Sequence, residues 1–335
     1  DNASSRGLGD VYKRQTSTSL DKSPTILSFR IPLSADKKLI NAIFSAYNTF
    51  VKSTPSPKIG LVVDYEKGKV VDHSAILAQT VSLGGNVTFS KGACSTNAIK
   101  NSSKTSEPSI KLGSLTINLP RLALESSKDE TYFRARLVLL MKPAIAAMAT
   151  RKKDVSDLIR RGVNPILAEK TQFMQKNNSS IILNFVGVKE AVHKILGHKD
   201  DKEGKEILNK VLETAVDIAH KKGQEMGIDV SISMVDSNDL TRFVTLDSEK
   251  YGKNSIMDVL EGDSYSQGLE LNPGELDKLT AKSEPISDCN KISKILDGGV
   301  LVKLPFDAKA KESDIKKGIE KASSLISSFK PNQIK

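Results

Sequence analysis

The sequence predicts an α/β protein built on a mainly parallel sheet or barrel, and three observations carry that expectation. Short apolar runs rich in β-branched residues, such as KIGLVVDY (Lys58–Tyr65) and SIILNFVGV (Ser180–Val188), are strands of the type buried on both faces. Stretches of helical periodicity follow these runs, as around Ala75–Leu83 and Lys189–Leu196. The spacing between strands leaves room for crossover helices, the usual connection in parallel sheets. No internal repeat is evident.

Taken in order, Thr16–Ser56 begins Ser-rich, then offers a strand at Ile26–Ile31 and a helix near Lys37–Val51. Ser53-Thr54-Pro55-Ser56-Pro57 is a breaker-rich linker. After the strand Lys58–Tyr65, the helix Ala75–Leu83 stops at Gly84-Gly85, and Asn86–Phe89 is extended. Lys91–Pro108 reads as a polar loop with Cys94 near its start. Leu115–Leu119 alternates as a strand that ends at Pro120. Asp129–Arg160 is one long helical stretch with Phe133, Leu137, Leu140, Met141, Ile145 and Met148 as its core stripe, and a kink is expected at Pro143. Further on come the strand Ser180–Val188, the helix Lys189–Leu196, a long amphipathic helix at Glu203–Met226 and a strand at Asp229–Val235. A turn-rich stretch leads to the strand Gly298–Leu304, and Glu312–Phe329 reads as a final helix.

Composition narrows the function classes. Charged residues are 27% and hydrophobic ones 38%, which suits a globular chain with a proper core. No apolar run reaches the roughly 20 residues a membrane helix needs, since Leu137–Met148 is broken by Lys142 and Pro143. Two cysteines, Cys94 and Cys289, cannot make a disulfide framework or a four-thiolate site, and with no secretory signal a cytoplasmic setting is expected. The net charge of +10 suits anionic ligands, but Lys and Arg are spread among acids and aromatics are only 5%. Direct nucleic-acid binding is therefore not expected, because such surfaces concentrate charge and interleave stacking rings.

Asp1–Gln15, DNASSRGLGDVYKRQ, resembles the conceptual translation of a transposase-type sequencing adaptor and is set apart as an artefact. The expected organisation is this artefact over 1–15, an N-terminal segment and linker over 16–56, and a partial catalytic α/β barrel over 57–335. Motif searching alone goes little further. There is no G-x-G-x-x-G, no Walker A loop and no nucleophile elbow, and His193 and His198 sit five apart, on different faces of a helix. No metal site is expected.

The most specific segment is Lys111–Glu125, KLGSLTINLPRLALE. It resembles the strand-and-loop signature V-T-I-N-L-P-R-[IL]-[AG]-[YF]-E of the anaerobic, glycyl-radical ribonucleoside-triphosphate reductases. Further stretches are similar in the family's order: ILNFVGVKEAV (Ile182–Val192), SNDLTRFVTLDSEKYG (Ser237–Gly252), Tyr265 with Gln267, and GGVLVKL (Gly298–Leu304). The likeness runs from about Pro57 to Phe329.

That resemblance implies part of a ten-stranded α/β barrel of the glycyl-radical enzyme and ribonucleotide reductase type, threaded by a loop with a cysteine at its tip. It implies reduction of ribonucleoside triphosphates to deoxyribonucleotides for DNA synthesis, with electrons from formate or a thioredoxin-type protein. Cys94 is the candidate thiyl residue, being the cysteine upstream of the Asn-Leu-Pro-Arg segment; a plain loop residue is the competing reading, since Gly92-Ala93-Cys94-Ser95-Thr96 lacks the family's Cys-Arg context. Asn118 is the candidate for contacts with ribose hydroxyls, its amide both donating and accepting, or else a cap before Pro120. Arg121 is a candidate substrate-binding residue, or a structural partner of an acid.

No cofactor is expected within this chain. The resemblance implies a glycyl radical, generated by a radical-SAM activating enzyme that uses S-adenosylmethionine and an iron–sulfur cluster. It also implies a structural zinc, with both sites in sequence beyond Lys335, and a homodimer in the full-length protein. The family's A-E-S-L glutamate is replaced by Asn238 or Asp239. That change and the irregular cysteine loop leave an alternative: a non-catalytic paralogue with a nucleotide-binding or scaffold role.

Overall fold

The computed structural model describes residues 27–53, 59–66, 70–91, 110–161, 179–198, 200–237, 240–260 and 262–333. They fall into two compact units. One holds the described residues up to position 98 with Glu270–Ile286 and those from Val302 onward, and the other those from 99 to Leu269 with Ser287–Leu301. Cys94, Asn238, Asp239, the stretch 1–15 and the linker prolines Pro55 and Pro57 lie outside the described residues.

The first unit is built on β1 (Leu27–Pro32), β2 (Ile59–Asp64), β3 (Asn86–Ser90), β9 (Val302–Phe306) and β10 (Ser328–Gln333). Their order is β1–β2–β3–β10–β9, with the two-residue strand β7 (Leu269–Glu270) at the β9 edge. Neighbours run parallel except β3 and β10, which are antiparallel. Leu61, Val62 and Val63 are successive buried residues, as a strand covered on both faces requires. Helix α1 (Lys37–Ser53) buries Ile40, Phe44, Tyr47 and Val51, a helical stripe. Its entry is fixed by Asp36, whose Oδ1 accepts from the Lys38 and Leu39 N–H groups at 2.8 and 3.1 Å. Helix α2 (Ser74–Ser82) and helix α9 (Glu312–Leu325) also belong to this unit.

The chain after α9 departs from the sequence expectation. The helix ends at Leu325, and Ser328–Gln333 is a strand. Phe329 is fully buried there and stacks on Phe89 with ring centroids 4.6 Å apart, while Tyr65 meets both rings edge-on. Such a three-ring cluster outweighs the helical periodicity of the preceding residues, and Pro331 could not continue a helix.

The second unit carries a sheet ordered β4 (Ile110–Asn118), β5 (Ser179–Val186), β6 (Asp229–Met234), β8 (Gly299–Val300), parallel throughout. Helix α4 (Glu130–Arg160) buries Phe133, Leu137, Met141, Ile145 and Met148, whereas Leu140 lies 43% exposed on the other face. Pro143 lies inside this helix, which continues on both sides of it. Helix α5 (Lys202–Met226) is capped by Asp201, which accepts from the Gly204 N–H at 3.0 Å, and buries Leu208, Val211, Leu212, Ala215 and Ala219. The expected helix after β5 is a single π-helical element, Glu190–Ile195.

The stretch read as turn-rich contains helices: α6 (Leu240–Tyr251), α7 (Lys253–Met257) and α8 (Glu284–Ile295). Cys289 is 5% exposed on the apolar face of α8 with Ile286 and Ile292.

Candidate active site

The site grows out of the end of β4. Asn118 is that strand's last residue and has extended backbone angles, and helix α3 (Leu119–Glu125) begins at once. Asn is a strong N-cap, and proline suits a first helical turn because its missing N–H has no helical acceptor there. Asn-Leu-Pro-Arg is therefore a strand end and a helix start in four residues. The Asn118 Oδ1 accepts the Arg121 backbone N–H at 3.2 Å. The sequence expectation stopped at the strand and missed this helix.

Asn118 and Arg121 share one partner, Asp247 on α6, which is fully buried. The Asn118 Nδ2 donates to its Oδ2 at 2.7 Å, and so does the Tyr265 hydroxyl at 2.8 Å. The other oxygen, Oδ1, accepts from the Arg121 Nε at 2.5 Å and pairs with its Nη2 at 2.5 Å. A buried carboxylate is tolerable only with such pairing and hydrogen bonding. Tyr265 is itself 1% exposed. Burial, and then the hydrogen bond to Asp247, push its hydroxyl well above the usual phenol range, so it stays a proton donor.

The segment after Tyr265 is clamped across the strand ends. Ser266 donates from its backbone N–H and its Oγ to the buried Glu190 at 2.6 and 2.5 Å. The Gly187 N–H donates to the Ser266 carbonyl at 2.8 Å, and Gln267 Oε1 accepts the Ser237 N–H at 2.5 Å. Ser237 Oγ lies 3.0 Å from Thr116 Oγ1. Asn184 joins β5 to β6, donating to the Val235 carbonyl at 3.0 Å and accepting from Ser233 and Val235 at 3.0 and 2.9 Å. These groups gather at the carboxyl ends of β4, β5 and β6, where open parallel sheets bind ligands.

Asn118 and Arg121 thus meet on Asp247, and both structural readings, the cap and the acid partner, are present in the geometry. Donor capacity remains: a guanidinium has five N–H groups, of which Asp247 takes the Nε–H and part of the Nη2 group. The Arg121 side chain is 32% exposed and Asn118 is half-buried. The pair can hold an oxygen-rich ligand. Among the described residues, no group of three or more His, Cys, Asp or Glu side chains could hold a metal, and no helix is long and apolar enough to cross a membrane.

A family model described as anaerobic ribonucleoside-triphosphate reductase matches residues 74–326, about three quarters of the chain and all of the cluster around Asp247. The chain belongs to the anaerobic ribonucleoside-triphosphate reductase family. A reductase of that name from Haemophilus influenzae is 28% identical over 191 residues, covering 50% of this chain and 26% of that protein. The fold is similar to that of the anaerobic ribonucleotide reductase from Thermotoga maritima with dATP bound in the specificity site, at a TM-score of 0.59 and 18% identity, covering 88% of this chain and 52% of that one. It is also similar to the glycerol-bound B12-independent glycerol dehydratase from Clostridium butyricum, at 0.58 and 14%, covering 90% and 49%. The fold class is thus α/β, part of the ten-stranded barrel of the glycyl-radical enzyme and ribonucleotide reductase type. The chain spans about half the length of these solved reductases.

Asp247 and Glu190 escaped the sequence reading as individual residues, though both lie inside stretches that resembled the reductases. A signal existed for Asp247. It falls on the same helical face as Leu240, Phe243 and Val244, so it is an acid at a core position of α6.

Proposed function

We propose that this chain is the central part of an enzyme that reduces ribonucleoside triphosphates to deoxyribonucleotides, supporting DNA synthesis, by thiyl and glycyl radical chemistry. The family match across 74–326 carries the reading, because it includes the strand end at which Asn118 and Arg121 stand together. That match also favours a reductase over a scaffold paralogue.

Cys94 is the proposed thiyl residue; it lies outside the described residues, and its assignment rests on the resemblance. A glycyl radical, where present, supplies the oxidant that takes the thiol hydrogen atom. Cys94 sulfur then removes the ribose 3′ hydrogen, and the C2′ hydroxyl takes a proton and leaves as water. An external reductant such as formate or a thioredoxin-type protein supplies two electrons, with them a second proton makes the new C2′–H bond, and the Cys94 thiol returns its hydrogen atom to C3′. An S–H bond is close enough in strength to a ribose C–H bond for this transfer to reverse. Asn118 donates to a ribose hydroxyl through its amide, and Arg121 meets phosphate or hydroxyl oxygens with its remaining N–H groups.

Among the described residues, no group of three or more His, Cys, Asp or Glu side chains could hold a zinc ion. A structural zinc and the radical glycine are assigned to sequence beyond Lys335. The proposed partners are the radical-SAM activating enzyme and a second copy of the full-length protein, in the cytoplasm. A long DNA read across both ends of this gene in the source sample tests the reading. Continuation past Lys335 into paired Cys-x-x-Cys motifs and an R-V-x-G-Y loop supports it, and a stop codon directly after Lys335 overturns it.

A further inference from the structure

Asp247 is the best-connected side chain of the site, yet the reductase reading gives it no task. Its carboxylate is fully buried, and both oxygens are occupied by donors from Asn118, Arg121 and Tyr265. It cannot touch a ligand without losing those bonds. What it can do is fix the two half-exposed side chains that a ligand would meet.

An asparagine amide can flip end for end at little intrinsic cost, exchanging donor and acceptor. Here the flip is blocked twice, since Oδ1 holds the Arg121 N–H and Nδ2 faces a carboxylate that accepts only. The long Arg121 side chain is similarly held by its Nε and Nη2 on Asp247 Oδ1. Freezing donors before the ligand arrives removes the ordering cost from the binding step. The Tyr265 hydroxyl closes the far side of Oδ2 and completes the carboxylate's shell.

We propose that Asp247 is a positioning residue, whose buried carboxylate presents the Asn118 amide and the Arg121 guanidinium as one pre-oriented donor pair for the ribose and phosphate oxygens of a ribonucleoside triphosphate. The proposal rests on the reading of Asn118 and Arg121 as substrate-binding residues.

The test is calorimetric binding of ATP, CTP, GTP and UTP, each in turn, to the 335-residue chain. The variants are Asp247→Asn, Asn118→Ala, Arg121→Ala and the double change Arg121→Ala with Asp247→Asn, each checked for folding by its thermal melt. Affinity is expected to fall at least tenfold in Asp247→Asn and in each single variant of the donor pair. The double variant is expected to bind within twofold of Arg121→Ala alone, because a residue acting through Arg121 has nothing left to position. A merely structural role would add its loss in the double variant, and that result overturns the proposal. Asp247→Asn binding like the wild type while the donor variants weaken overturns the positioning role and leaves the substrate reading standing. Donor variants that bind like the wild type, or a wild type that binds none of the four, overturn the substrate reading and the positioning role with it. Should Asp247→Asn fail to fold, Tyr265→Phe gives the same comparison. It keeps the charge but frees one side of Oδ2, so affinity falls severalfold; unchanged affinity overturns the proposal.

Discussion

Replacing Gly187 by alanine puts a methyl group where the Pro120 ring already sits. Gly187 follows β5 with φ +69°, and a Cβ at this position would overlap Pro120 Cγ and Cδ. Two costs follow. Holding an L-residue in the left-handed region costs about 1–2 kcal/mol. Forcing an extra carbon into an occupied space costs about 1–3 kcal/mol, and neither a proline ring nor the backbone it belongs to moves away easily. The loss is therefore about 2–5 kcal/mol, and at about 2–4 °C per kcal/mol for a unit of this size the melting temperature falls by about 4–20 °C on that scale. Gly227 provides the control in the same unit. Its φ is +63° but nothing lies within 4 Å of where a Cβ would stand, so Gly227→Ala carries the backbone cost alone. Thermal melts followed by circular dichroism compare the two. Gly187→Ala must melt below Gly227→Ala, and equal melting temperatures would refute the argued overlap with Pro120. The strain also reaches the site, since Pro120 lies between Asn118 and Arg121.

Three further outcomes follow from the same geometry. Arg121→Ala leaves the buried Asp247 carboxylate without its cation and should cost about 3–5 kcal/mol; urea unfolding measures the loss, and a variant as stable as the wild type would contradict the pairing. Cys289 is buried, and burial, then the nearby Asp288 charge, push its thiol up to about 12. In a Cys94→Ser background it should therefore resist thiol reagents at neutral pH until urea unfolds the chain, and rapid native labelling would contradict its burial. Burial alone would raise the Glu125 carboxyl, but hydrogen bonds and charges from Arg136 and Lys250 outweigh it and hold the group below its ordinary value. Its contribution is present above the ordinary carboxylate range and lost as pH falls through the depressed folded value. With these partners half exposed the effect is below about 1 kcal/mol, so the stability gap between wild type and Glu125→Gln should be small at pH 7 and vanish in acid.

Much of the fold was legible because the strands are apolar and short. KIGLVVDY and SIILNFVGV announced β2 and β5 by composition, and α4 and α5 by their stripes. Elements decided by distant contacts were not legible. Ser328–Gln333 looks like the tail of a helix until Phe89 and Tyr65 are beside Phe329. Helix α3 was hidden by reading Pro120 as a terminator, when proline serves equally in a first turn. The site was half legible. Asn118 and Arg121 stand out in a motif, whereas Asp247 lies 129 positions from Asn118 and bonds to it through folding alone. No spacing rule joins residues so far apart; an acid on the apolar face of α6 was the available clue.

The central claim is best tested by assaying the natural full-length gene product, reductively activated without oxygen, for conversion of ribonucleoside triphosphates to deoxyribonucleotides. The account predicts deoxyribonucleotide formation by the wild type and its loss, with nucleotide binding retained, in Cys94→Ser. An activated wild type that forms no deoxyribonucleotide, or a Cys94→Ser variant that turns over like the wild type, would contradict it.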